Sequence, residues 1–76
     1  MTNEADMEKL AVAIGQNIRE KRRANGLSQD RFALVAGIDR SYMGRIERGE
    51  VSITIEKLYR IAAALHCEPT TLLPRM

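Results

Sequence analysis

The sequence predicts an all-α fold of five helices, and three observations carry that expectation. Apolar residues recur at three- and four-residue spacing through most of the chain, which is the period of one helix face. Strand-favouring aromatics are scarce, with one Phe, two Tyr and no Trp, although 45% of the residues are hydrophobic. Ser, Asp and Gly fall at the ends of the periodic runs, where helices start and stop.

Each element follows from these signals. The first helix is expected from about Asp6 to Asn25: Leu10, Ile14 and Ile18 share a face, acidic residues crowd its start and basic ones its end, and Gly26 suits a left-handed C-cap. Ser28 offers an N-cap oxygen for a second helix, Gln29 to Val35 or Ala36, with Phe32, Ala33 and Ala36 inward and Gly37 as its stop. Asp39 caps a third in the same way, Arg40 to about Glu47, with Met43 and Ile46 inward and Gly49 beyond. Ser52 or Thr54 starts a fourth that runs through Leu65 and carries Leu58, Ile61, Ala62 and Leu65 on one stripe. Pro69 fits the first position of a fifth, Pro69 to Leu73, which Pro74 prevents from extending. The second and third are short and separated by about four residues with a glycine among them, the spacing of a helix-turn-helix.

A chain of 76 residues is read as one domain over 1–76, with the helix-turn-helix at 28–48 inside a core of about 18–73. So short a chain buries a modest fraction of its surface, which makes self-association an expected support. The net charge of +2 hides a segregation: Arg19 to Arg48 holds eight basic and four acidic residues, whereas the remainder is −2. A basic middle between mildly acidic ends suits a local polyanion contact, or a solvated face. Cys67 is alone, which excludes a disulfide within the chain, and with only His66 beside it the thiol is expected to pack rather than to ligate metal. Neither a secretory signal nor a bilayer-spanning apolar run is seen, so a cytoplasmic home is expected, with no membrane partner. A lone histidine, no nucleophile–base arrangement, no phosphate-cradling glycine loop and no metal-ligand cluster argue against an enzyme and against a bound cofactor.

The segment from Ile18 to Leu73 resembles the Cro/cI-type helix-turn-helix (XRE) family of phage repressors and bacterial regulators. The resemblance rests on Ile-Arg-Glu-Lys-Arg-Arg at 18–23, Gly-Leu-Ser-Gln at 26–29, Ala-Gly-Ile at 36–38, Ile-Glu-Arg-Gly at 46–49 and Ile-Ala-Ala-Ala-Leu at 61–65. Asp-Arg-Ser-Tyr-Met at 39–43 followed by Ile-Glu-Arg is most similar to the controller proteins of restriction-modification systems. Gly44, where those proteins commonly carry Ser, and Val51, where some carry a basic residue, depart from that pattern. The resemblance implies a lambda-repressor-like domain that binds duplex DNA and regulates transcription as a homodimer.

Duplex recognition asks for particular residues here. A helix fits the major groove, where the N-terminal half of its outer face reaches base edges and Arg pairs bidentately with guanine. Arg40 and Arg45 are the preferred base readers, with Ser41 and Tyr42 reaching bases or sugar-phosphate; Gly44, which costs up to about 1 kcal/mol against Ala, suits close backbone approach to DNA. Gln29, at a helix N-terminus, is the best phosphate candidate; Lys21, Arg23 and Arg48 are further clamps or plain solvated charges. The resemblance also implies an ion pair between Arg22 and Glu47 that fixes the recognition helix.

Dimerisation is expected through a C-terminal surface of Leu72, Leu73 and Met76, edged by His66, Cys67 and Pro69, with inward packing of Leu72 the competing account. Leu34 and Val35 are either a second contact surface or ordinary exposed aliphatics. Glu47 and Glu50 are candidate contacts for RNA polymerase, and no small-molecule ligand is evident. An alternative function is an antitoxin-type module that neutralises a protein partner and autoregulates its operon.

Overall fold

The computed structural model describes residues 4–75 and contains four α-helices, with no strand among those residues: α1 (Glu4–Ala24), α2 (Gln29–Ala36), α3 (Arg40–Glu47) and α4 (Ile55–Ala64). A short 3-10 turn, Pro69–Leu72, follows α4. The fifth α-helix expected from the sequence is therefore corrected to this turn. Only i→i+3 bonds form there, from Thr71 N–H to the Glu68 carbonyl at 2.9 Å and from Leu73 N–H to that of Thr70 at 3.2 Å. The reason lies in Pro74, which lacks an N–H and disfavours helical geometry at the residue before it; Leu73 is accordingly extended, with φ −88° and ψ 135°.

The starts of three helices are built as the local sequence dictates. Ser28 Oγ accepts from Arg31 N–H at 3.1 Å, Asp39 Oδ2 from Tyr42 N–H at 3.1 Å, and Thr54 Oγ1 from Lys57 N–H at 3.2 Å, which decides between Ser52 and Thr54. The four ends share one device. After α2, Gly37 is left-handed at φ 69°, its N–H reaches the Leu34 carbonyl and that of Ile38 reaches Ala33, a paired closure that satisfies the last carbonyls. Gly26 and Gly49 do the same for α1 and α3, but after α4 the left-handed position falls on His66, at φ 55°.

These elements enclose a single core. Ile14 and Ile18 of α1, Phe32, Ala33 and Ala36 of α2, Met43 and Ile46 of α3, and Leu58, Ile61, Ala62 and Leu65 of the fourth segment all contribute, with Leu10 only partly buried at its edge. Leu72 fills the remaining space and is completely buried, so this member of the expected dimer surface belongs to the interior instead. A long-range bond from Asn17 Nδ2 to the Leu72 carbonyl, 3.0 Å, ties the C-terminal turn to α1. No described helix is long and apolar enough to cross a membrane.

Gly15 sets how closely α1 and α3 approach. A Cβ there would lie 2.5 Å from the Ile46 carbonyl oxygen and 2.7 Å from that of Glu47, both rigid backbone atoms. Glycine lets the end of α3 sit directly against α1.

Candidate nucleic-acid interface

α3 has two chemically distinct faces. Its inner face carries Met43, Ile46 and Glu47, all buried; its outer face presents Arg40, Ser41 and Arg45, with Arg48 just beyond, all exposed. The period of the helix produces this division, because a stripe that packs on the core leaves the intervening positions to solvent.

Glu47 is held on that inner face by three donors. Arg22 Nε and Nη2 donate to its two oxygens at 2.7 and 3.1 Å, a bidentate clamp, and Gln29 Nε2 donates to Oε1 at 3.0 Å. Arg22 Nη1 turns back to the Leu27 carbonyl at 2.9 Å. Side-chain exposure of only 11% for Arg22 and 2% for Glu47 makes this a buried network. It joins the end of α1, the start of α2 and the last turn of α3, which fixes the orientation of the two short helices. Every buried side-chain nitrogen and oxygen among the described residues has a partner.

Several expected roles are altered by this arrangement. The Gln29 amide is turned inward to Glu47, rather than left free at the mouth of α2. Glu47 is too deeply buried to meet another protein, which removes it as a polymerase contact. Gly44 is buried too: the space a Cβ would take has Arg48 Nη1 at 3.0 Å, Arg40 Nη1 at 3.4 Å and Gln29 Oε1 at 3.6 Å. This glycine is a bed for three side chains, which lie over its backbone. Tyr42 is half-buried against the core, with Lys57 Nζ 5.4 Å from its ring centroid. Lys21 lines a shallow groove with Asn17, Glu20, Ala24 and Thr71, while Arg23 is exposed.

Residues not singled out in the sequence as DNA contacts complete the surface. Asp30 is bonded to Arg40 through Nε, and Glu50 sits between Arg48 and Arg45, with Nε distances of 2.6 and 3.9 Å. The Arg48 guanidinium holds the Glu50 carboxyl below its ordinary pKa, chiefly through their hydrogen bond. On the other flank, Lys57 and Arg60 of α4 line a concavity with Asp39 and Tyr42, and Arg60 Nη1 donates to the Gly37 carbonyl at 3.2 Å. Among surface lysines and arginines of a linear sequence these two look like solvated charges; only the packing of α4 on α2 brings them beside α3.

Exposed apolar residues lie on elements other than α3. Ile55 (71% exposed), Tyr59 (61%) and Ala63 follow one another at helical spacing on the outer side of α4, and His66 is exposed just past its end. Leu73 is exposed and Pro69 half-buried nearby in sequence, and Met76 lies outside the described residues. Leu34 and Val35 are exposed on α2. No group of His, Cys, Asp or Glu among the described residues is placed to hold a metal ion.

Two short helices joined by a glycine turn, the second locked from behind and presenting arginines in front, define a helix-turn-helix protein. The family profile described as helix-turn-helix matches residues 18–72, and the chain belongs to that XRE-type family of transcriptional regulators. It is similar to the control protein C.SmaI of Serratia marcescens, 37% identical over 62 residues that cover 82% of this chain and 74% of the other. The solved structure of the restriction-modification controller protein C.AhdI from Aeromonas hydrophila superposes with a TM-score of 0.81 at 42% identity, covering 91% of this chain and 98% of that one. The hypothetical transcription factor NHTF from Neisseria superposes equally well, with a TM-score of 0.81 at 33% identity over 91% of this chain and 79% of its own.

Proposed function

We propose that this chain is a sequence-specific DNA-binding regulator that reads a two-fold operator as a homodimer, with α3 in the major groove and Arg40 and Arg45 on guanine edges. The observation that carries the reading is the outer face of α3, where both arginines and Ser41 are exposed directly after the Asp39 cap while the inner face is locked by Glu47. A rigid helix with charged, solvent-facing tips is what base reading requires. Similarity to control proteins of restriction-modification systems supports an operon of that kind as the regulated target.

Dimerisation is assigned to the stripe Ile55, Tyr59, Ala63 and His66 together with Leu73, which replaces the buried Leu72 as the apolar surface seeking a partner. Two copies joined there would address half-sites about 34 Å apart. Regulation then follows protein concentration through the monomer–dimer equilibrium. Tyr59→Glu is expected to shift the sedimentation behaviour to monomer and to weaken operator binding without unfolding the chain. A wild-type monomer that binds its operator at full strength would end the dimer assignment.

The central experiment selects duplexes from a random pool and repeats the selection with Arg40→Ala and Arg45→Ala. Each variant is expected to lose a guanine preference at defined positions, at about 1–3 kcal/mol per contact. Uniformly weaker binding with a shallower salt slope would make both arginines phosphate contacts instead.

A further inference from the structure

The arginines of the reading face are not free: each is approached by a carboxylate, and in each case the nearest guanidinium nitrogen is Nε. Asp30, in the first turn of α2, accepts from Arg40 Nε at the start of α3. Glu50, just past the end of α3, accepts from Arg48 Nε at 2.6 Å and lies 3.9 Å from Arg45 Nε. The terminal Nη groups of Arg40 and Arg45 make no hydrogen bond within the described residues. All the partners remain about half exposed or more, so the pairs are accessible to a ligand.

This asymmetry has a chemical meaning. A guanidinium presents two bidentate edges, and the pair of terminal nitrogens matches the O6 and N7 acceptors of guanine. The grip of Asp30 on Arg40 Nε leaves that end-on pair available and removes rotational freedom that would otherwise be lost on binding, while Glu50, 3.9 Å from Arg45 Nε, biases that guanidinium by charge without a hydrogen bond. A carboxylate beside the groove also repels the phosphates that any sequence presents, which weakens random binding. Gly44 contributes the floor: with no Cβ, the Arg40 and Arg48 guanidinium groups lie close over the α3 backbone, within reach of Asp30 and Glu50.

We propose that Asp30 and Glu50 are specificity-determining positioning residues, which orient Arg40 and Arg45 for end-on guanine recognition while raising the barrier to non-specific phosphate contact. The inference rests on the base-reading function above and adds to it the residues that set its selectivity. It differs from a stabilising role, because exposed pairs of this kind contribute little to folding.

The test compares wild type with Asp30→Ala and Glu50→Ala for binding to the selected operator and to a random duplex over a salt series. The variants are expected to bind random duplex more tightly and operator no better, so that the affinity ratio falls about fivefold, part of what an oriented bidentate arginine supplies. The random-duplex salt slope steepens by about one for each arginine released to phosphate. Replacing the guanine read by Arg40 with 7-deazaguanine removes the N7 acceptor; its penalty is expected to shrink in Asp30→Ala but not in Glu50→Ala, a coupling that a structural role would not produce. Asp30→Glu is expected to restore part of the ratio. A wild-type chain that discriminates among duplexes, with variants whose ratio and 7-deazaguanine penalty are unchanged, overturns the positioning role and leaves base reading intact. A wild-type chain that discriminates among no duplexes removes both.

Discussion

Glu47 and Glu50 stand three residues apart, and each is bound by an arginine through Nε at nearly the same distance, 2.7 and 2.6 Å, yet the two pairs do different things. Arg22–Glu47 is shut between α1 and α3, receives a third donor from Gln29, and has almost no access to water. Arg48–Glu50 lies in solvent, shares its carboxylate with Arg45, and exchanges partners at little cost. Geometry alone therefore does not give an ion pair its role. Burial makes one a fixed joint that sets the pose of α3, and exposure makes the other a contact that a polyanion can displace.

The largest effect should come from breaking the buried pair. Glu47→Ala leaves the Arg22 guanidinium and the Gln29 amide without their acceptor, and is expected to destabilise the chain by about 3 kcal/mol in urea unfolding. Adding salt should leave most of the Glu47 contribution in place, since buried pairs are weakly screened. Next comes the joint's backbone. Gly15→Ala drives a methyl group into the carbonyls of Ile46 and Glu47, and should cost about 2 kcal/mol in the same assay while disturbing the packing of α3.

The exposed pair should respond in the opposite way. Glu50→Gln is expected to leave the unfolding curve superimposable on wild type; a loss comparable with that of Glu47→Ala would erase the distinction. The smallest signal is the titration of Glu50 itself. Because its pKa is lowered in the folded chain by Arg48, any stabilisation it gives is present above its unfolded pKa and is lost as pH falls through the lowered value, below the usual carboxylate range. Carbon-detected NMR should show its midpoint moving back up in Arg48→Ala.

Much of the fold was legible residue by residue. Ser28, Asp39 and Thr54 cap helices through bonds only three residues long, and Gly26, Gly37 and Gly49 end them through equally local closures, so no knowledge of tertiary packing was needed. The left-handed His66 was missed because a histidine at that position carries no stop signal of its own; the hydrogen bonds from its own N–H to Ala63 and from Cys67 to Ala62 reveal it. The fifth helix was overread, since a proline at each end allows one turn and not two. Of the candidate site, the outward position of Arg40, Ser41 and Arg45 was recoverable from the helical period once Asp39 was recognised as a cap. Gln29 was not: its position at a helix start suggested an outward amide, and only Glu47, eighteen residues away, draws it in.

The sequence by itself determined the caps of α2 and α3, the glycine stops of α1 to α3 and the apolar side of each α-helix, because capping and amphipathic period are written within one or two turns of chain. Tertiary structure alone decided which charges are joints and which are tips, that Leu72 completes the core while Ile55 and Tyr59 stay outside it, and that Asp30 and Glu50 reach the exposed arginines of α3. Those outcomes depend on the angle and closeness at which elements meet, set at Gly15 by contact between backbones 31 residues apart, and no local pattern encodes such a distance.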